Sequence, residues 1–599
     1  MGSSIFVERW PLRPLFTLTA LAAIINPKLI DSFPHLLEGG GGATLSIFAI
    51  VLLAYAFPVL CIEISLGHFM KGPVSLFGRS PIFQGIGWGI VTFSLISNTY
   101  ESVDTALNGY YIYTSAQQSK LQEMHQCNAW SSLPCFDGDQ YKPSTLNYSR
   151  HWAMEQFYRR FDLEPEKVLE QGSPLHPVNL GGLQIPLLIG SAVVWCCVLI
   201  CVLFGPLSIG FTSTLLFACS LGLMFAMMAK GFRLPGAKEG VNSMFTTDWN
   251  EIIHWTKWKE LTSFTVHNLG LGTGLFITLG GFNKKSSWRW MLLEIPFIIV
   301  TFLVTSCIGA IIYGCFLGYA RAVFTVQTVA QLTTLFGSFE FSLMNMILRL
   351  SNSANGWYLV YYSMNLLLKF STLCAMTEIA NTAIIHTAEN TCGPRSRTKF
   401  RPILATGTVI IFFAGSIAFC TDRGMQAKRL VENYLWTLVP SFIFAEIIAF
   451  GIWQLKRIAG SVNSLFARIF YTTFGIVPFV VTLLAATLFV QFVYFERFLF
   501  RLRLITGTTS FKPTLPIIRT SNDHYYYDNS KFWLGTVIAA IPLIVTLFVC
   551  TAHAITTCCR ARQQREPTCK SLCCGLGEDE FERGSGESSF ELNGMISKY

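Results

Sequence analysis

The chain has 599 residues, of which 52% are hydrophobic and 13% charged, with 50 Phe among them and 44 Lys and Arg against 35 Asp and Glu. A soluble chain of this length does not carry so little charge, which excludes a soluble enzyme, a nucleic-acid-binding protein and a disordered scaffold. The net charge of +9 then reads as cytoplasmic anchoring, because basic residues gather in the inner loops of membrane proteins.

A spanning helix needs about 20 apolar residues. Such stretches run at about 12–37, 43–70, 85–114, 183–204, 208–231, 262–282, 291–318, 357–385, 402–420, 432–455, 470–496 and 533–556. The first follows Arg9 and Arg13, has no small-residue cleavage site and is interrupted by Pro27, Lys28, Asp31 and Pro34, so it is not a removable signal peptide. Twelve spans put residues 1–11 and the tail 557–599 on one side, expected to be the cytoplasm, around a transporter-like domain of residues 12–556. Loop charge agrees: Lys71 and Arg79, then Lys284, Lys285 and Arg289, then Arg395, Arg397, Lys399 and Arg401, then Lys456 and Arg457 fall in alternate loops. The segment 115–182 lies on the opposite, extracellular face; it holds Cys127 and Cys135 around Trp130, a pair that reads as a disulfide, and the glycosylation sequon at Asn147. The loop 497–532 carries Arg501, Arg503, Lys512 and Arg519 on that same outer face, against the charge rule. In the tail, Cys558, Cys559, Cys569, Cys573 and Cys574 stand beside Arg560, Arg562 and Arg565, which invites palmitoylation; a zinc site is the sharper reading, but no His shares the cluster.

Two spans are interrupted near their middles, the first by Asn26-Pro27-Lys28 and Phe33-Pro34, the sixth by Asn268-Leu269-Gly270-Leu271-Gly272-Thr273-Gly274. Unwound backbone is tolerated at membrane depth only where it lines a cavity or binds something. A single kink can merely help helices pack. Two in corresponding places, first of one five-helix set and first of the next, point to an inverted repeat with a central site, and so to a transporter.

Several motifs carry a family resemblance. They are Lys230-Gly231-Phe232-Arg233-Leu234-Pro235-Gly236-Ala237 with Gly240; Pro58, Glu63, Leu66 and Gly67 after Gly40-Gly41-Gly42-Ala43; Asn268 to Gly272 with Phe282-Asn283; and Phe157-Tyr158-Arg159-Arg160. From about residue 10 to 556 the chain resembles the sodium- and chloride-dependent neurotransmitter symporter family. The resemblance implies an all-α polytopic membrane protein of twelve transmembrane helices, an inverted five-helix repeat with helices 1 and 6 discontinuous, and alternating access. It also implies a small amine or amino-acid-like solute carried across the plasma membrane with sodium and chloride as co-transported ions. No cofactor is expected and no bond is made or broken. Partners are the solute, membrane lipid, and a second copy of the chain or a protein bound by the tail; no nucleic acid is among them.

The family's ion ligands map unevenly. The first-helix Asn falls on Leu29 or Lys28 and the gate Arg on Ser32; the eighth-helix Asp-Ser pair falls on Ser371-Thr372; the seventh-helix Asn on Phe302; and the chloride-binding Gln and Ser on Phe264 and Asn268. What remains for sodium is the backbone of Ala22, Ile24 and Ile25 with the hydroxyls of Ser371 and Thr372. Candidate solute contacts are Asn26, Tyr100 or Glu101 (the third-helix Tyr falls on the latter), His267, Asn268 and Gly270. Lys28 and Lys369 are coupling candidates, fixed ammonium groups in place of sodium that lose and regain a proton during turnover. Their other reading is structural pairing, Lys28 with Asp31 or Glu101 and Lys369 with another carboxylate. Asp104, three residues beyond Glu101, makes that face acidic and suited to a cationic solute, while Glu63 and Glu378 read as structural partners of the broken helices. A transport-incompetent relative acting through its tail, as a signalling or adaptor protein, would leave the same traces; a third alternative is an ion-conducting pore, which current without solute dependence would reveal.

Overall fold

The computed structural model describes residues 9–127 except 71 and 78–82, then 135, 153, 157, 182–283, 288–324, 344–351, 355–392, 396–505 except 423, 462–468 and 470, and 529–564. Asn147, Trp130, Lys71, Arg79, Lys284, Lys285, Arg395, Lys512, Arg519 and the tail cysteines from Cys569 onward lie outside these residues.

Among the described residues the chain is helical, with one isolated bridge between Leu183 and Thr421 in place of any sheet. The elements used below are α1 (Pro14–Ile24), α2 (Lys28–Leu37), α3 (Gly42–Met70, with a π turn at Leu52–Ala56), α4 (Gln84–Ala116), α5 (Ile185–Val202) and α6 (Pro206–Phe232). There follow α7 (Trp255–Leu269), α8 (Leu275–Gly281), α9 (Trp288–Phe324), α10 (Gly356–Cys392), α11 (Ser396–Ser416), α12 (Gly424–Leu435), α13 (Val439–Ser461), α14 (Val477–Ile505) and α15 (Asn529–Gln564). Each of the twelve predicted spans coincides with a helix or a helix pair. Nine helices among the described residues are long and apolar enough to cross a membrane, ten with α1 and α2 counted as one span bent by 64°. The α4 helix and the α7–α8 pair are absent from that set. Both hold polar side chains within the span, Asn98, Glu101, Asp104 and Asn108 in α4 and His267 and Asn268 in α7, because both face the interior of the bundle rather than lipid. Apolar side chains exposed elsewhere, such as Leu53, Ile189, Ile200, Leu547 and Phe548, are what a lipid-facing surface requires.

Both breaks have a local cause. After α1 the backbone turns extended at Ile25, and the Asn26 side-chain oxygen accepts from the Lys28 amide at 3.0 Å, satisfying one of the orphan donors that begin α2. At the second break Gly270, Gly272 and Gly274 take φ values of 66°, 71° and 79°, a left-handed backbone that a side chain resists. The Gly270 and Leu271 amides fold back onto the His267 and Val266 carbonyls, closing α7. The freed amide of Gly272 donates to Glu63 Oε1 of α3 at 2.7 Å, so a buried carboxylate holds the gap open, as expected of Glu63. Glu378 lies fully buried on α10, where it pairs with Arg401 of α11 at 2.5 Å and accepts from Asn381 at 3.3 Å, so it joins α10 to α11. The Cys127–Cys135 disulfide is formed, with Cα atoms 5.9 Å apart.

Candidate functional site

The site lies where the two breaks meet α4, α10 and α12. Lys28, at the first residue of α2, sends Nζ to Glu432 Oε1 of α12 at 2.6 Å and to His267 Nε2 of α7 at 2.8 Å. His267 lies 3.6 Å from the same carboxylate oxygen, and its ring rests on Trp436 with centroids 3.8 Å apart. Thus the ends of both broken helices and α12 share one ionic contact. The expected partners of Lys28, Asp31 and Glu101, are not the ones it takes.

A second group sits one turn further along α4, toward the end that leads to the disulfide. Asp104 Oδ2 accepts from Lys369 of α10 at 2.5 Å and lies 3.0 Å from Lys428 of α12. Lys428 reaches toward Glu101, 4.0 Å away, and stands 5.9 Å over the buried ring of Tyr100. The carboxylate expected to pair with Lys369 is therefore Asp104, and the acidic face of α4 is met by two ammonium groups. Lys28, Lys369 and Lys428 face Glu101, Asp104 and Glu432, three positive charges against three negative. Mixed charge of this kind is tolerable away from water because each group keeps a partner.

On α4, Tyr100 is buried with its ring edge-on to Phe419, while the Glu101 side chain keeps 31% of its surface and faces the charged space. Asn26 spends its side chain on capping α2 and on the Ile24 carbonyl, Gly270 closes α7, and Asn268 donates to the Phe264 carbonyl with its oxygen buried. Of the expected sodium set, Thr372 donates to the carbonyl of Ala23 at 2.8 Å, joining α10 to α1, and Ser371 donates within its own helix to Leu367. The α1 carbonyl brought to the hydroxyls is thus Ala23, between the expected Ala22 and Ile24. Phe264 and Phe302, expected at two of the family's ligand positions, pack together with Phe33 and Phe48 at centroid distances of 5.0 to 6.5 Å. Four rings at that spacing form a dry apolar contact with no oxygen to offer an ion.

Lys428 and Glu432 were missed from the sequence. The signal was present, since the two charges fall one helical turn apart at the start of the tenth apolar span, a placement that is costly without a function or a partner.

The sequence model of the "Sodium:neurotransmitter symporter family" matches residues 7–555. The chain is 24% identical to the "Sodium- and chloride-dependent glycine transporter 1" of Xenopus laevis, over 71% of this chain and 68% of that one. It is 24% identical to the "Sodium- and chloride-dependent creatine transporter 1" of Oryctolagus cuniculus, over 46% of this chain and 44% of that protein. It is 22% identical to the "Sodium-dependent transporter snf-12" of Caenorhabditis elegans, over 71% and 41%. The match therefore spans less than half the length of the last two.

Proposed function

The chain belongs to the sodium:neurotransmitter symporter family, and from that premise we propose that it carries a small amine or amino-acid-like solute across the plasma membrane by alternating access, with fixed ammonium groups standing where sodium would bind. The observation that carries this reading is the Lys28 ammonium, held between Glu432 and His267 at the junction of the two broken helices. A hard cation needs several oxygen ligands. Phe264 and Phe302 supply none, and the Thr372 hydroxyl is already committed to α1. A lysine at the break brings the positive charge with it.

Coupling then runs through protons. When Lys28 or Lys369 gives up its proton, the attraction that ties α2 to α12, or α10 to α4, is lost, and the helices around the site are free to move relative to each other. Residual sodium binding at the Ala22, Ile24 and Ile25 backbone with Ser371 and Thr372 is the competing coupling route. Both termini lie in the cytoplasm in this reading, and the two breaks mark the first helices of an inverted repeat.

The test is uptake by proteoliposomes across a panel of amines and amino acids, in sodium-free buffer with an imposed pH gradient. Flux that persists without sodium and follows the gradient supports the proposal; flux that collapses without sodium and ignores pH refutes proton coupling. One observation favours a second reading, a transport-incompetent relative working through its tail: all three lysines of the cluster already have carboxylate partners. Neither uptake nor solute-evoked current for any panel member, from protein delivered to the surface, would decide for it.

A further inference from the structure

Within the central cluster one pair is unlike the rest. Lys28–Glu432, Lys369–Asp104 and Lys428–Asp104 close to 2.6, 2.5 and 3.0 Å, whereas Lys428 and Glu101 stand 4.0 Å apart, too far for a hydrogen bond. Asp104 shares a single oxygen between two ammonium groups, so Lys428 holds only part of an anion. Among the described residues Lys428 is the cation within 4.0 Å of Glu101, and at 31% the Glu101 side chain is the most exposed of the three carboxylates, against 14% for Asp104 and 22% for Glu432. An under-satisfied cation and an under-satisfied anion thus lie side by side, beside the ring of Tyr100.

The charge balance says what such a pair accepts. Three lysines face three carboxylates, so a lone amine or a lone carboxylate would add uncompensated charge to a space partly closed to water, which is costly. A molecule carrying both charges adds none. Lying alongside, with its ammonium on Glu101 and its carboxylate on Lys428, it completes both groups at once. The 4.0 Å separation matches charges held one or two carbons apart. It does not suit a polyamine or a long diacid.

We propose that Lys428 and Glu101 form the recognition pair for the solute, and that the solute is a short zwitterion whose carboxylate is read by Lys428 and whose ammonium is read by Glu101. The inference rests on the transporter reading only in taking the cluster as the solute site. It assigns a specificity role to Lys428, which the family's ligand positions do not include.

The experiment uses purified full-length protein in sodium-free detergent buffer, with glycine and β-alanine as zwitterions, ethylamine as the cation alone and propionate as the anion alone. Binding is read by calorimetric titration and by the shift in unfolding midpoint. Glycine or β-alanine is expected to bind, with ethylamine and propionate at least tenfold weaker. Lys428→Gln and Glu101→Gln should each weaken the zwitterion at least tenfold, and the charge-swapped double variant Lys428→Glu with Glu101→Lys should recover part of that loss, which also separates recognition from misfolding. The proposal is overturned if ethylamine binds as well as β-alanine, if Lys428→Gln leaves zwitterion binding intact, or if neither zwitterion binds. Uptake is measured separately. Binding that depends on Lys428 without any uptake sinks the transport reading alone, and uptake indifferent to Lys428→Gln sinks this inference alone.

Discussion

Replacing Glu432 by Gln removes one charge from the contact that joins both broken helices to α12. Lys28 would keep His267, 2.8 Å away, and a neutral amide oxygen, but no longer an opposite charge in direct contact. Leaving one member of a fully buried ion pair alone costs about 3–5 kcal/mol. Here the side chains keep 34% and 22% of their surface, so water offsets part of that, and about 2 kcal/mol is the expected loss. At an unfolding entropy of about 2 cal/mol/K per residue, 2 kcal/mol moves the midpoint of a cooperative unit of 599 residues by only about 2 °C, a shift that fluorescence-detected melting of detergent-solubilised protein resolves. Pairing the change with Lys28→Met removes the orphaned charge as well. The double variant should then melt above Glu432→Gln alone, with a coupling of about 1–2 kcal/mol across the cycle. An unchanged midpoint for Glu432→Gln, or single effects that simply add in the double variant, would refute the contact as a tie between the helices.

Three further outcomes are expected. Gly272→Ala places a Cβ in a left-handed backbone, 2.6 Å from the Ile443 side chain and 3.0 Å from the Val439 carbonyl; strain and overpacking together cost about 2–5 kcal/mol, and surface delivery measured by flow cytometry should fall sharply. Glu378→Gln removes the charge opposite Arg401 in a site where neither side chain exceeds 6% exposure, a loss of about 3–5 kcal/mol that the double change with Arg401→Met should largely reverse in the same melting assay. His125, in the short helix Gln118–His125 beyond α4, has its imidazole pushed down to about 3 by burial and by the neighbouring Arg349 guanidinium. The unfolded chain therefore binds this proton from about pH 6.5 downward while the folded chain does not, and stability should fall by about 1.4 kcal/mol per unit as pH drops toward 3. His125→Gln should flatten that slope between pH 7.5 and 5.5; an identical slope in the variant would remove His125 as its source.

The parts of this protein legible in its sequence are those governed by neighbours in the chain. A run of apolar residues long enough to cross lipid becomes a helix wherever it occurs. Gly270, Gly272 and Gly274 announce the second break because few other residues adopt their positive φ, and Asn26-Pro27 announces the first. The Cys127–Cys135 bridge joins the two cysteines that the segment 115–182, read as extracellular, holds around Trp130.

What the sequence left open depends on which faces meet. Lys28 and Glu432 are 404 positions apart and Lys369 and Asp104 are 265 apart, so nothing local says which carboxylate each ammonium takes. The choice between Tyr100 and Glu101 is a rotation of one helix by a fraction of a turn, fixed only when α4 packs in the bundle. Arg401 reads in the sequence as a loop charge, yet α11 begins early enough to carry that guanidinium into the interior, where it meets Glu378. Backbone conformation is set within a few residues by sterics and unpaired amides, and so it can be read in one dimension. Ionic pairing is set by where the bundle places each side chain relative to water and to opposite charge, and only the packed helices decide that.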